Sequence, residues 1–212
     1  MNNQQIILGI NAFHADSSAC IVINGKLITA IEEERINRKK HFSGFPFKAI
    51  EECLDIAKIN ETEITDIAFN TKPNSNIFAK GSFFIKNFFF KKNLFTDRLK
   101  RKIGFKNILL DKFKLNKKIK FHYIEHHLAH ISSTYYPSGF NKAIGLSIDG
   151  SGDFVSAAFA KCENNKISIK EKIFFPDSLG IFYHAMTQFL GFNDYGDEYK
   201  IMGLAAYGKP IF

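Results

Sequence analysis

The chain has 212 residues, 45% of them hydrophobic, and a formal net charge of +8 at pH 7. That is enough apolar material for one large or two small globular domains, and no apolar run approaches the roughly 20 residues needed to span a bilayer. Three widely spaced cysteines without a CxxC argue against a disulfide or thiolate-zinc framework, and the polar start Met1-Asn2-Asn3-Gln4-Gln5 lacks the marks of a signal peptide, so the cytoplasm is the expected compartment.

In chain order, Ile6-Ile7-Leu8 opens an apolar strand that runs to a polar turn at residues 12–17, followed by a second strand. Asn24-Gly25, a strong hairpin signal, leads into a third strand over 26–32. The basic run Arg38-Lys39-Lys40-His41 follows, either a phosphate grip before a helix or a solvated charge run. Residues 45–57, with Pro46 near the start and apolar residues at helical spacing, predict an amphipathic helix. Residues 65–71 read as a strand stopped by Pro73.

Next comes the source of the charge. Fourteen Lys/Arg face two Asp between Lys80 and Lys120, so this stretch carries +12 and the rest of the chain −4. Amphipathic helices with a solvated cationic face are expected over about 75–118, and nucleic acid is not the expected partner. A strand over 118–124 precedes Glu125-His126-His127-Leu128-Ala129-His130, which opens a helix. A second strand meander spans 146–173 with a turn at Asn164-Asn165. Residues 179–190 look helical, and 191–200 and 202–209 look loop-like.

Residues 8–22 and 146–160 align without a gap as strand, polar turn and strand, with Asn11 on Asp149 and Ser18 on Ser156. This duplicated layout is that of the α/β actin-like ATPase (ribonuclease-H-like) fold. The first half, residues 1–140 with the basic insert, is complete in pattern; the second, 141–212, stops soon after its three strands. A half-built sheet would leave an open edge and an uncovered apolar face. The expectation is therefore a truncated second half, and a chain that is part of something longer.

His126 and His130 are four residues apart, about one helical turn, so both imidazoles fall on one face and can close on one metal ion. The same spacing also occurs on ordinary helix surfaces. Asp149-Gly150-Ser151-Gly152 offers a carboxylate for a cation and glycine amides for an anion, or simply a tight turn. Its counterpart in the first repeat supplies Asn11, His14, Asp16, Ser17 and Ser18 instead. Residues 196–210 mix charge, aromatics and glycine, without the spacing of a Walker loop or dinucleotide fingerprint.

Together these segments resemble the N-terminal part of the NodU/CmcH carbamoyltransferase family, which includes nodulation-factor and antibiotic O-carbamoyltransferases. The resemblance runs through nearly the whole chain. It rests on residues 9–19, on Glu33-Glu34-Arg35 with Lys40-His41 and Gly44-Phe45-Pro46, on 125–130, on Ile148-Asp149-Gly150 and on 196–205. Each motif is weak alone; five in the right order are specific.

The resemblance implies an enzyme whose YrdC-like C-terminal domain, absent from this sequence, makes carbamoyl-adenylate from carbamoyl phosphate and ATP. The actin-like domain would pass the carbamoyl group to a hydroxyl of a sugar or natural-product acceptor. His126, His130 and Asp149 match ligands of a divalent metal, commonly Fe(II). His14 matches a position near the reacting carbonyl, and Lys40 is placed to neutralise developing charge. Candidate ATP or carbamoyl-adenylate contacts are Asn11, Ser17, Ser18, Gly150, Ser151, Gly152, Lys200 and Gly203. The missing half-domain and YrdC-like domain are expected partners in cis or in trans, and this chain alone is expected to be inactive. Two other readings stay open: threonylcarbamoyl transfer to tRNA by a related metal-dependent family, and a non-catalytic nucleotide-binding remnant.

Overall fold

The computed structural model describes residues 4–86, 104–116 and 118–211 as two compact units. The first comprises the chain up to Ile77 together with Gly81–Glu125; the second comprises Phe78–Lys80 and everything from His126 onward.

In the first unit, β1 (Ile6–Asn11), β2 (Ser18–Ile23) and β3 (Lys26–Glu32) form an antiparallel meander. The Asn24-Gly25 turn has both residues at positive φ, 48° and 80°, as a tight primed hairpin turn requires. β4 (Asp66–Phe69) and β5 (Lys120–Tyr123) add in parallel, giving the order β3-β2-β1-β4-β5. Parallel pairing needs crossovers, and these carry helices. A short α1 (Glu33–Asn37), which the sequence did not announce, precedes α2 (Phe47–Ala57).

The helix α2 buries Ala49, Ile50, Cys53 and Leu54 in a core with Ile6, Leu8 and Ile10 of β1 and Ile67 and Phe69 of β4. Its N-cap residue is Pro46, which makes no side-chain cap. A distant carboxylate substitutes: Glu33 Oε2 accepts the Ala49 N–H at 2.7 Å, supplying an orphan first-turn amide with its acceptor.

Two helices of the basic segment are described, α3 (Ile77–Lys86) and α4 (Phe105–Lys112); the rest of the expected helical insert, 87–103 and Lys117, lies outside the described residues. The helix α4 drives Phe105 into the core, where its ring stacks on Phe69 at 4.7 Å and on Phe13 at 5.5 Å. Burying each such ring contributes about 2–3 kcal/mol. Several of the chain's 24 phenylalanines thus serve the interior rather than a surface.

In the second unit, β6 (Lys142–Gly152), β7 (Val155–Glu163) and β8 (Lys166–Phe174) form a second antiparallel meander in the order β6-β7-β8. One side packs on α5 (His126–Tyr135): Ile131 and Tyr135 meet Ala158, Ala160 and Cys162. Gly145 allows that approach, because a Cβ there would lie 2.6 Å from Ile131 Cγ2. Strand alternation sends Ile144, Leu146 and Ile148 to the other side, where they are 73%, 66% and 52% exposed.

Two C-terminal helices follow. The first, α6 (Leu179–Phe189), lies where the sequence indicates. The second, α7 (Glu198–Ala205), forms where the sequence suggested loops. Gly203 disguised it, yet Asp197 and Glu198 at its start suit the positive end of the helix dipole, and His184 of α6 anchors Glu198 at 2.7 Å. Among the described residues, no helix is long and apolar enough to cross a membrane.

Candidate metal centre

The centre is built within the second unit, from the first two turns of α5 and the end of β6. His126 opens the helix, and its backbone N–H donates to Asp153 Oδ2 at 3.0 Å, a cap from a residue 27 positions away. One turn later His130 presents its ring on the same face, with the two Nε2 atoms 2.9 Å apart. Asp149 Oδ2 lies 2.8 Å from His126 Nε2 and 3.7 Å from His130 Nε2.

Two ligands held at about 2.1 Å from one ion, 90–110° apart, are separated by roughly 3.0–3.4 Å. The observed separations of 2.8, 2.9 and 3.7 Å bracket that range. Two imidazoles and one carboxylate on a single face, leaving other positions open, is a donor set suited to Fe(II) and related divalent ions. The residues present therefore fit a metal. The imidazoles of His126 and His130, with the Gly150 N–H, hold the Asp149 carboxyl well below the usual carboxylate range, against the opposing effect of burial.

His127, between the two candidate ligands, points elsewhere. It is fully buried, its Nδ1 is 2.8 Å from Ser147 Oγ and its Nε2 is 2.8 Å from the Val155 carbonyl. A carbonyl can only accept, so Nε2 carries the proton and Nδ1 accepts from the serine. Burial pushes the imidazole below its ordinary pKa, and the Val155 bond opposes that only in part. His127 is a structural tie between α5 and the sheet.

The glycine-rich run is not the turn that the sequence suggested. β6 continues through Gly152 with an irregularity between Ile148 and Gly152, and the reversal falls on Asp153-Phe154, at φ 50° and 74°. Gly150 donates its N–H to Asp149 Oδ1 at 2.6 Å, so this amide serves the carboxylate. Gly152 has another reason to be glycine: a Cβ there would lie 2.0–2.1 Å from Cδ2 and Cγ of the His126 ring. Ser151 is exposed.

The linear pattern also passes over Ser147, Asp153, Ser178 and Gly180, which surround the centre. Of these only Ser178 carried a signal, as a helix-capping type directly before an apolar run. It caps α6 by accepting the Ile181 N–H at 3.1 Å.

The other candidates fall into two groups. Lys200 of α7 pairs with Asp197 at 2.6 Å, which raises its pKa, and Gly203 sits within the helix, where an added Cβ would meet no other segment within 4 Å. In the first unit, His14 and Lys40 sit on two loops joined edge to edge. Phe13 N–H donates to Gly44 O and Ser17 N–H to Phe42 O, at 3.2 and 2.9 Å.

Ser17 Oγ bonds the carbonyls of His14 and Gly44, and the Asn11 amide donates to Asp16 O and accepts from Asn70. Asn11 and Ser17 are thus engaged in shaping the loop. Ser18 pairs with Asn11 at the strand end, and Lys40 is exposed. Asp16, Glu34 and His41 also cluster with potential ligand atoms within 4.8 Å. The Arg35 guanidinium lies 3.2 Å from Glu34, and Glu34 accepts the His41 N–H at 2.8 Å. Together with the 3.0 Å contact of His41 Nδ1 to Asp16 Oδ1, these contacts tie the two loops together.

The molecule is thus an α/β protein carrying a two-histidine, one-carboxylate centre. The carbamoyltransferase N-terminus family matches residues 6–211. The chain is 34% identical to the uncharacterized protein sll1178 of Synechocystis sp. over 97% of its own length and 35% of that protein. It is 33% identical to the nodulation protein NolNO of Sinorhizobium fredii over 94% of its length and 29% of that protein. Among solved structures, YeaZ from Pseudomonas aeruginosa aligns at TM-score 0.46 and 10% identity, covering 81% of this chain and 68% of that one. This chain belongs to the carbamoyltransferase N-terminus family, and it spans about a third of the length of the curated relatives it matches.

Proposed function

We propose that this chain is the acceptor-side portion of an O-carbamoyltransferase: it holds a divalent metal, Fe(II) in the first instance, and takes part in moving a carbamoyl group from carbamoyl-adenylate to a hydroxyl. The observation that carries this reading is the convergence of His126, His130 and Asp149 in a chain of this family. A bound divalent ion would supply Lewis-acid polarisation of an oxygen on the transferring group.

The chain's own residues do the rest. The acceptor oxygen attacks the carbamoyl carbon, His14 takes or directs the hydroxyl proton, and the bond to the adenylate phosphate breaks with AMP as leaving group. Lys40 offsets the charge that develops on the reacting atoms. Lys200 and Gly203, with Ser18 and Ser151, are the nucleotide contacts of choice, since Asn11 and Ser17 are spent on their loop.

The fold reading that goes with this function is the duplicated actin-like ATPase arrangement, supported by the two meanders. The bare Ile144, Leu146 and Ile148 row on β6 and the greater length of the relatives support a further half-domain and a YrdC-like domain as partners. Carbamoyl phosphate, ATP and a sugar or similar hydroxyl compound are the substrates.

The test is metal analysis of anaerobically purified chain, with His126→Ala and His130→Ala as variants, followed by carbamoyl transfer from carbamoyl phosphate and ATP once the remaining portion is supplied. Metal bound by the parent chain and lost in both variants supports the reading. Equal metal content in all three would sink the ligand assignment. Tight, steeply salt-dependent tRNA binding without carbamoyl transfer to small hydroxyl compounds would favour the threonylcarbamoyl alternative.

A further inference from the structure

The carboxylate end of the centre is held from a direction that none of its ligands explains. Ser178 Oγ lies 2.7 Å from the Gly150 carbonyl and 3.1 Å from the Asp149 carbonyl, so its single hydroxyl hydrogen is shared between them. The same oxygen accepts the Ile181 N–H and caps α6. Two residues on, Gly180 brings the first turn of α6 directly against the Asp149-Gly150 peptide. A Cβ at position 180 would lie 2.5 Å from Gly150 N and 2.6 Å from the Asp149 carbonyl carbon and oxygen. All three atoms are backbone, so the clash could not be relieved by a side-chain rotation.

From this we infer that Ser178 and Gly180 are positioning residues for the metal centre: the first turn of α6 fixes the main chain of Asp149, and thereby aims its carboxylate at His126 and His130. The inference rests on the metal reading above and adds to it. On its free side the Asp149 carboxylate is set by His126 Nε2 and the Gly150 N–H; on its main-chain side it is set by α6. A ligand's affinity for its ion depends on such outer contacts because they hold the donor in the bound orientation before the ion arrives. Coupling of this kind is reciprocal, so an ion at the centre also steadies the first turn of α6.

Co(II) titration of the full chain, followed by visible absorption, tests this. Ser178→Ala is expected to weaken Co(II) binding about tenfold or more, the usual scale for loss of an outer-shell partner. Ser178→Thr, which keeps the hydroxyl, should restore affinity to within a few-fold of the parent, and Gly180→Ala should weaken it at least as much as Ser178→Ala. Ser168→Ala, exposed on β8, serves as the unaffected control.

Hydrogen exchange gives a readout that does not depend on the Ser178 or Gly180 variants folding: Co(II) should slow the amides of residues 181–183 in the parent chain, and should not do so in His130→Ala. Ser178→Ala and Gly180→Ala proteins with parental affinity and spectrum would overturn the proposal, as would exchange at 181–183 that ignores Co(II). A parent chain that takes up no Co(II) would remove the metal reading itself and this inference with it. Metal bound equally well by parent and variants would remove the positioning role alone.

Discussion

Replacing His127 by alanine should separate stability from metal binding, in the opposite sense to replacing its neighbours. The side chain is fully buried and makes two hydrogen bonds of 2.8 Å, to Ser147 Oγ and the Val155 carbonyl. Each is worth about 1 kcal/mol net, stripping a buried partner of its donor adds about 1–3 kcal/mol, and an imidazole-sized void adds a packing loss. The sum is about 3–5 kcal/mol, a large share of the roughly 5–15 kcal/mol that keeps a domain folded.

His130 is half-exposed on the surface of α5, and its removal should cost no more than about 0.5 kcal/mol. With a slope near 2 kcal/mol/M, the urea midpoint of His127→Ala should fall by roughly 1.5–2.5 M, while its folded fraction keeps the parental metal content. Without added metal, His130→Ala should unfold at the midpoint of the metal-free parent, since a bound ion would itself stabilise the parent, and it should take up no metal when the ion is supplied. Circular dichroism suits the unfolding curves, since the chain contains no tryptophan. His127→Gln, whose amide can still reach Val155, should fall between. A His127→Ala protein that lost its metal at an unchanged midpoint would refute the assignment of structural and ligand roles, as would a His130→Ala protein that kept it.

Gly152→Ala should displace the His126 ring and lower metal affinity at least about tenfold, whereas Gly150→Ala, with nothing within 4 Å of its added methyl, should not; titration of both would expose an error if their order were reversed. Glu33→Ala removes the remote cap of α2, a bond of 2.7 Å from a buried carboxylate, and should cost about 1–2 kcal/mol; a parental urea midpoint would contradict this. The Asp66 carboxyl is held below its ordinary pKa chiefly by His122 at 2.7 Å and then by Thr65. Because the folded pKa is the lower one, its contribution is fully present above about pH 4 and is lost as pH falls through the folded value. Asp66→Asn should therefore flatten the decline in urea midpoint between pH 5 and pH 2, and an unchanged slope would rule that origin out.

Much of the fold could be read from the chain because its signals are local. Asn24-Gly25 makes the tight turn it promised, since both residues tolerate positive φ. The apolar spacing of 47–57 puts Ala49, Ile50, Cys53 and Leu54 on one buried face of α2. The helix α7 was hidden because Gly203 weakened the local pattern, while the contact that anchors it, His184 to Glu198, is made only after α6 and α7 meet. The Asp149–Gly152 run read as a turn because three glycine or serine residues follow an aspartate; the folded chain extends the strand through them and reverses at Asp153-Phe154.

The same division holds at the candidate metal centre. The sequence by itself determined that His126 and His130 share a helix face, because helical pitch alone fixes that, and its internal repeat nominated Asp149. Only the tertiary structure showed where the His127 ring goes, into Ser147 and Val155, 20 and 28 residues away. Only the tertiary structure gave Gly152 its role of admitting the His126 ring, and brought Ser178 and Gly180 of α6 against Asp149. Spacing along the chain sets which residues can face one way; which partners meet them depends on segments that come together only when the sheet and its helices pack.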